Sequence, residues 1–133
     1  MGRVQDKVIL VSGGAMGMGR THCELLAREG GQIIVSDMNA ELGEQVAAGI
    51  RKAGGRAEFQ PLNVTDEAQW AAVVDGAIAR YGRIDVLVNN AGYGLAGAIE
   101  EVSDAEARAQ METNVFGALA LTRAVLPRMR AQR

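Results

Sequence analysis

The sequence predicts an α/β fold, a doubly wound parallel sheet of about four strands with helices on both faces. Three observations predict it. Apolar strand-like runs at 8–11, 33–35, 57–62 and 84–88 recur with helix-length intervals between them, which is the alternation of βα units. The first, second and fourth runs are almost continuously apolar, as strands covered on both faces must be. Gly13, Gly14, Gly17 and Gly19 crowd the turn directly behind the first run, where a strand passes tightly into a helix. Crossovers between such parallel strands are right-handed.

The elements follow in order. The first strand runs through Lys7-Val8-Ile9-Leu10-Val11-Ser12, and the second covers 32–36 and ends in Asp37. Leu42, Val46 and Ile50 then recur at i, i+4 and i+8, one apolar stripe of a helix. Beyond the third strand, Trp70, Val73, Val74, Ala77 and Ile78 make a second stripe, which places Trp70 in the core rather than against a ligand. Gly54-Gly55 closes the second helix; Asp66, with Gln69 three places on, opens the third, and Gly82 closes it. Ser103 followed by Glu106 reads as a capping box for a fourth helix, so Ser103 is a cap and not a nucleophile. Pro127 lacks an N–H and is expected to kink or loosen that helix near its end.

Composition bounds the function. With 133 residues, 48% hydrophobic and 23% charged, the chain fits one domain with one core, burying roughly two-thirds of its unfolded surface. Fourteen basic against sixteen acidic residues give a net charge of −2, so no overall field steers nucleic acid or an anionic membrane toward it. Arg123, Arg128, Arg130 and Arg133 form the one basic cluster and read as a solvated helix end. Cys23 is the single cysteine; it excludes an intrachain disulfide and a cysteine zinc cage and reads as a packed helix residue. His22, the single histidine, has no evident partner for a triad or a metal, and no metal is expected. No run approaches the roughly 20 apolar residues of a transmembrane helix and no secretory signal opens the chain, so a cytoplasmic protein is expected.

The glycine turn is suited to an anion. Bare backbone approaches a pyrophosphate closely, and the N–H groups and positive dipole end of the following helix face it. Asp37 stands where a ribose diol lies in a dinucleotide-binding βαβ unit. Its carboxylate accepts from two sugar hydroxyls but repels a 2′-phosphate, and neither Met38 nor Asn39 brings a compensating cation. NAD is therefore expected over NADP. Arg20, just past the last turn glycine, is expected to point outward.

The motifs resemble a known family. Ser12, Gly13, Gly17 and Gly19 are spaced Ser-Gly-x-x-x-Gly-x-Gly; Asn89-Asn90-Ala91-Gly92 closes the fourth strand; Asn114-Val115-Phe116-Gly117 and the helical stretch 121–129 follow. From Lys7 to about Met129 the chain resembles the short-chain dehydrogenase/reductase family, whose patterns are Thr-Gly-x-x-x-Gly-x-Gly and Asn-Asn-Ala-Gly. The resemblance implies a Rossmann-type sheet and hydride transfer between NAD and an alcohol or ketone. It implies cofactor contacts at Ser12, Gly13, Met16, Gly17, Met18, Gly19, Asp37, Met38, Asn63, Val64, Asn90, Ala91 and Gly92. Asn114 matches the family's helix asparagine, which helps hold a water in a proton relay, and is the catalytic candidate. Asn63-Val64 departs from the Asp-Val common at the adenine edge; an Asn carbonyl still accepts from the adenine amino group but lacks the carboxylate's charge.

The family's upstream serine and Tyr-x-x-x-Lys pair have no match. Tyr81 is followed four places on by Asp85 and Tyr93 by Gly97, and the only lysines are Lys7 and Lys52. Residues 1–133 are therefore expected to be an NAD-binding Rossmann domain truncated after about four strands, the N-terminal part of an oxidoreductase whose complete form is a homo-oligomer. Alone, it is expected to bind NAD weakly or not at all and to lack turnover. The alternative expectation is a non-catalytic dinucleotide-binding or interaction module that pairs through the exposed edge at 84–88.

Overall fold

The computed structural model describes residues 2–132. Four parallel strands, β1 (Val8–Ser12), β2 (Gln32–Asp37), β3 (Arg56–Pro61) and β4 (Val86–Val88), form one sheet in the order β3-β2-β1-β4. Helices α1 (Gly17–Arg28), α2 (Ala40–Lys52) and α3 (Glu67–Tyr81) connect them, and α4 (Asp104–Met111) and α5 (Ala118–Ala131) follow β4. In register, Leu10 stands between Ile34 and Leu87, and Ser12 beside Ser36.

Strand alternation divides the interior in two. Leu10, Ile34 and Leu62 pack with Val73, Val74 and Ala77 of α3 and Leu121 and Val125 of α5. Ile9, Val11, Ile33 and Val35 face the opposite way, onto Cys23 and Ala27 of α1 and Val46, Ala47 and Ile50 of α2. The sheet is thus covered on both sides, and Trp70 lies half-buried against the α3/α5 layer as expected. Helix α2 lies so close to the sheet that a Cβ on Gly43 would sit 2.2 Å from the Phe59 ring.

Two local expectations need correction. The apolar run 84–88 yields a strand only over Val86–Val88. Ile84 is fully buried, but its N–H donates to the Gln132 side chain and its carbonyl accepts from it, while the Asp85 carboxylate accepts from the Val8 N–H at 2.8 Å. The Asp85 N–H also donates to the Val8 carbonyl at 2.9 Å, so these two residues dock the start of the strand onto β1 and the end of α5 by backbone and side-chain bonds together. The irregularity expected at Pro127 lies earlier: a π-helical turn, Glu112–Gly117, separates α4 from α5, and α5 continues past Pro127 to Ala131. The turn ends where the backbone passes close to the loop after β3, since a Cβ on Gly117 would stand 2.6 Å from the Val64 side chain.

The expected caps are present. Asp66 accepts from the Gln69 N–H, Ser103 and Glu106 make a complete capping box, and Gly82 ends α3 in the left-handed region at φ 73°. Arg128 reaches Asp75 at 3.4 Å, Arg123 and Arg130 are exposed, and Arg133 lies outside the described residues. Among the described residues β4 pairs with β1 alone, so its other side is a sheet edge.

Candidate functional site

The carboxyl ends of β1, β2 and β4 and the loop after β3 open onto a cleft of about 590 Å³. One wall is the glycine turn. Gly13 has φ +66°, and a Cβ there would lie 2.9 Å from the Ala91 Cα; a Cβ on Gly19 would lie 1.9 Å from the Gly13 carbonyl oxygen. Both positions exclude any larger residue, the first by conformation as well as contact. Gly17, at φ +55°, has open space where a side chain would stand. Met16 occupies the N-cap position of α1 with no side-chain capping bond, so no side chain covers the first N–H groups of that helix.

The turn is tied to both neighbouring strands. The buried Ser12 hydroxyl accepts from the N–H groups of Asn90 and Ala91, each at 3.1 Å, and lies 3.3 Å from the Val88 carbonyl, to which it donates. The Asn90 amide donates to the Gly13 carbonyl at 2.9 Å. On the other side, one Asp37 oxygen accepts from the Ala15 N–H at 3.0 Å and the other from the Asn39 N–H at 2.9 Å. Asn39 itself caps α2, accepting from Leu42. Arg20 is paired with Glu24 one helical turn on and is exposed, so it points outward as expected.

Of the sequence-predicted residues, Gly13, Met16, Gly17, Met18, Asp37, Met38, Asn63, Val64, Asn90, Ala91 and Gly92 line the cleft together. Ser12 and Gly19 are buried behind the wall and shape it. Asn114 is exposed and stands beside the lining: its side-chain oxygen accepts from the Tyr93 N–H at 3.0 Å, and its amide donates to the Tyr93 carbonyl at 2.8 Å. Leu62, Thr65, Tyr93 and Thr113 complete the lining. Sequence reasoning did not single out those four; the one signal for them is adjacency, since each adjoins a residue named above, Asn63, Val64, Gly92 or Asn114.

Asn63 is more constrained than its sequence implies. Its side-chain oxygen accepts from both the N–H and the hydroxyl of Thr65, at 3.0 and 2.7 Å, while its own N–H donates to Gln69. That carbonyl is occupied within the loop. Val64 is buried against Gly117. Cys23 is fully buried behind the turn, and burial pushes its thiol up to about 12; His22 is exposed. Among the described residues no group of three His, Cys, Asp or Glu could hold a metal ion, and no helix is long and apolar enough to cross a membrane.

Residues 7–133 match the short chain dehydrogenase family. The chain belongs to the short-chain dehydrogenases. It is 52% identical over 130 residues to a cyclopentanol dehydrogenase of Comamonas, covering 98% of this chain and 52% of that protein. It is 38% identical over 135 residues to a trans-4-hydroxycyclohexanecarboxylate dehydrogenase of Sinomonas cyclohexanicum, covering 97% of this chain and 52% of the other. A solved hydroxysteroid dehydrogenase from Escherichia coli superposes with a TM-score of 0.93 at 32% identity, covering 98% of this short-chain dehydrogenase chain and 55% of that one. The chain thus spans about half the length of the relatives it matches.

Proposed function

We propose that this chain carries the coenzyme-binding part of an NAD-dependent short-chain dehydrogenase acting on a secondary alcohol of a saturated ring. Residues 1–133 then form one NAD-binding Rossmann unit. The observation that carries the coenzyme reading is Asp37. Its two oxygens are fixed by backbone N–H groups on either side, one of them from the glycine turn, at the lip of a cleft whose other wall is the uncapped end of α1. A pyrophosphate fits against the bare N–H groups at Gly17, where a side chain would intrude, and an unsubstituted ribose diol fits the carboxylate. The ring-alcohol reading is supported by the names of the two sequence relatives and of the steroid-directed structure.

In this reading the coenzyme, when bound, supplies the hydride acceptor. The protein's residues orient it. Ser12 and Asn90 hold the turn against the β4 loop, and Asn114 fixes the backbone at Tyr93 beside the cleft; the water relay that its match to the family implies has no lysine in this chain to lead to. The sequence has no Tyr-x-x-x-Lys pair, so of the two outcomes expected from the sequence the proposal takes the first, weak coenzyme binding without alcohol turnover. Saturation-transfer NMR, which reads weak binding, tests the proposal: NAD signals should build up with half-saturation well below that of NADP. Equal or stronger NADP binding, or no transfer from either coenzyme, would overturn it.

A further inference from the structure

Three of the six methionines surround the cleft mouth. Met16, Met18 and Met38 line it and are 55%, 75% and 73% exposed. Met16 and Met18 flank Gly17 in the turn, and Met38 follows Asp37, so every one adjoins a residue given a coenzyme role above. A thioether is apolar, flexible and polarizable, well suited to pack on a ligand ring. When open to solvent it is also a ready target for a hydroperoxide. The neighbouring thiol is not a competitor: Cys23 is fully buried with its ionisation pushed up by burial, and the thiolate is the reactive form.

We infer that Met16, Met18 and Met38 form an oxidisable rim on the cleft, a modification site at which hydrogen peroxide weakens coenzyme binding and which bound coenzyme shields. The inference rests on the NAD reading above. In the step, a sulfur lone pair attacks one peroxide oxygen; the S–O bond forms as the O–O bond breaks, and hydroxide leaves. The hydroxide takes the proton from the new S–OH group, giving sulfoxide and water, so the thioether loses two electrons and the peroxide gains them. The sulfoxide places a strong dipole where an apolar side chain had met the coenzyme. Met111 is 48% exposed but belongs to a separate groove beside α4, and Met129 is half-buried against the core. Those two serve as internal references.

The test begins with the NAD affinity of untreated protein, since failure to bind overturns the coenzyme reading and this inference with it. Graded peroxide followed by peptide mass spectrometry then gives a rate for each methionine, with and without saturating NAD. Met16, Met18 and Met38 should oxidise faster than Met129, and NAD should slow those three while leaving Met111 unchanged. Their oxidation should weaken NAD binding about tenfold, the effect of losing part of the apolar contact at several methionines. In a Met16→Leu, Met18→Leu, Met38→Leu variant, affinity after peroxide should equal that variant's own affinity before it, whereas Met111→Leu should stay peroxide-sensitive. Full oxidation of the three with NAD affinity unchanged, or no protection by NAD, would overturn the inference while leaving the coenzyme reading intact.

Discussion

At the scale of single residues, the glycines separate into those the fold requires and those it tolerates. Gly19→Ala would bring a Cβ to 1.9 Å from the Gly13 carbonyl and 2.4 Å from the Asn90 amide. It should open the turn, lower the melting temperature and abolish NAD binding. Gly49 lies inside α2 with nothing within 4 Å of the added atom, so Gly49→Ala should stabilise by about 0.5–1 kcal/mol, as expected where alanine replaces glycine in a helix. Urea unfolding of both variants checks the pair; similar effects at the two sites would contradict the packing described here. Asn63 supplies the second prediction. An Asp at 63 could keep the Thr65 bonds with one oxygen and offer the other, charged, to the adenine amino group. Asn63→Asp should tighten NAD binding several-fold, read by competition NMR, with little change in the NAD-over-NADP ratio if, as proposed, that ratio rests on Asp37.

At the scale of elements, the start of α3 couples stability to the cleft. Asp66 accepts from the Gln69 N–H with one oxygen and from the Gln69 side-chain amide with the other, and the Gln69 carbonyl accepts from the Asn63 N–H at 2.7 Å. Removing the cap therefore loosens a cleft-lining loop. Asp66→Ala should cost about 1 kcal/mol, the usual loss for an N-cap aspartate, and should also accelerate amide exchange at Asn63 and Thr65. A stability loss with unchanged exchange at those two amides would separate the cap from the site. This chain of bonds was half legible in the sequence: Asp66 and Gln69 announce the cap by their spacing, but nothing local shows that Gln69 also holds the preceding loop. The π-helical turn was not legible for a related reason. The contacts it makes, the close approach of Gly117 to Val64 and the Asn114 bonds to Tyr93, join residues far apart in sequence.

At the scale of the whole molecule, the sheet and most of the cleft were legible because both come from local pattern. Continuous apolar runs announce strands buried on both faces, and the glycine, Asp37 and Asn-Ala-Gly positions all fall at strand ends. What escaped was the division between residues facing the cleft and residues shaping it from behind: Ser12 and Gly19 carry motif identities, yet they bond to or abut another strand's loop rather than line the space. The opposite end of the sheet is held by a charge. The Asp85 side chain is 8% exposed, and that burial raises its pKa; bonds from Arg83 and the Val8 N–H, with Lys7 at 3.9 Å, more than offset the burial and leave it below the ordinary carboxylate value. A carboxyl whose folded pKa lies below its unfolded one gives stability that is fully present above the unfolded value. That stability fades as pH falls through the folded pKa, because the unfolded chain then binds the proton more readily. Urea midpoints should therefore decline as pH falls below about 4. Asp85→Asn should be less stable than the parent near neutral pH, and the difference should shrink steadily through that acid range. A parent and variant that lose stability in parallel from neutral pH downward would show that β1 and β4 are not held together by the ionised Asp85.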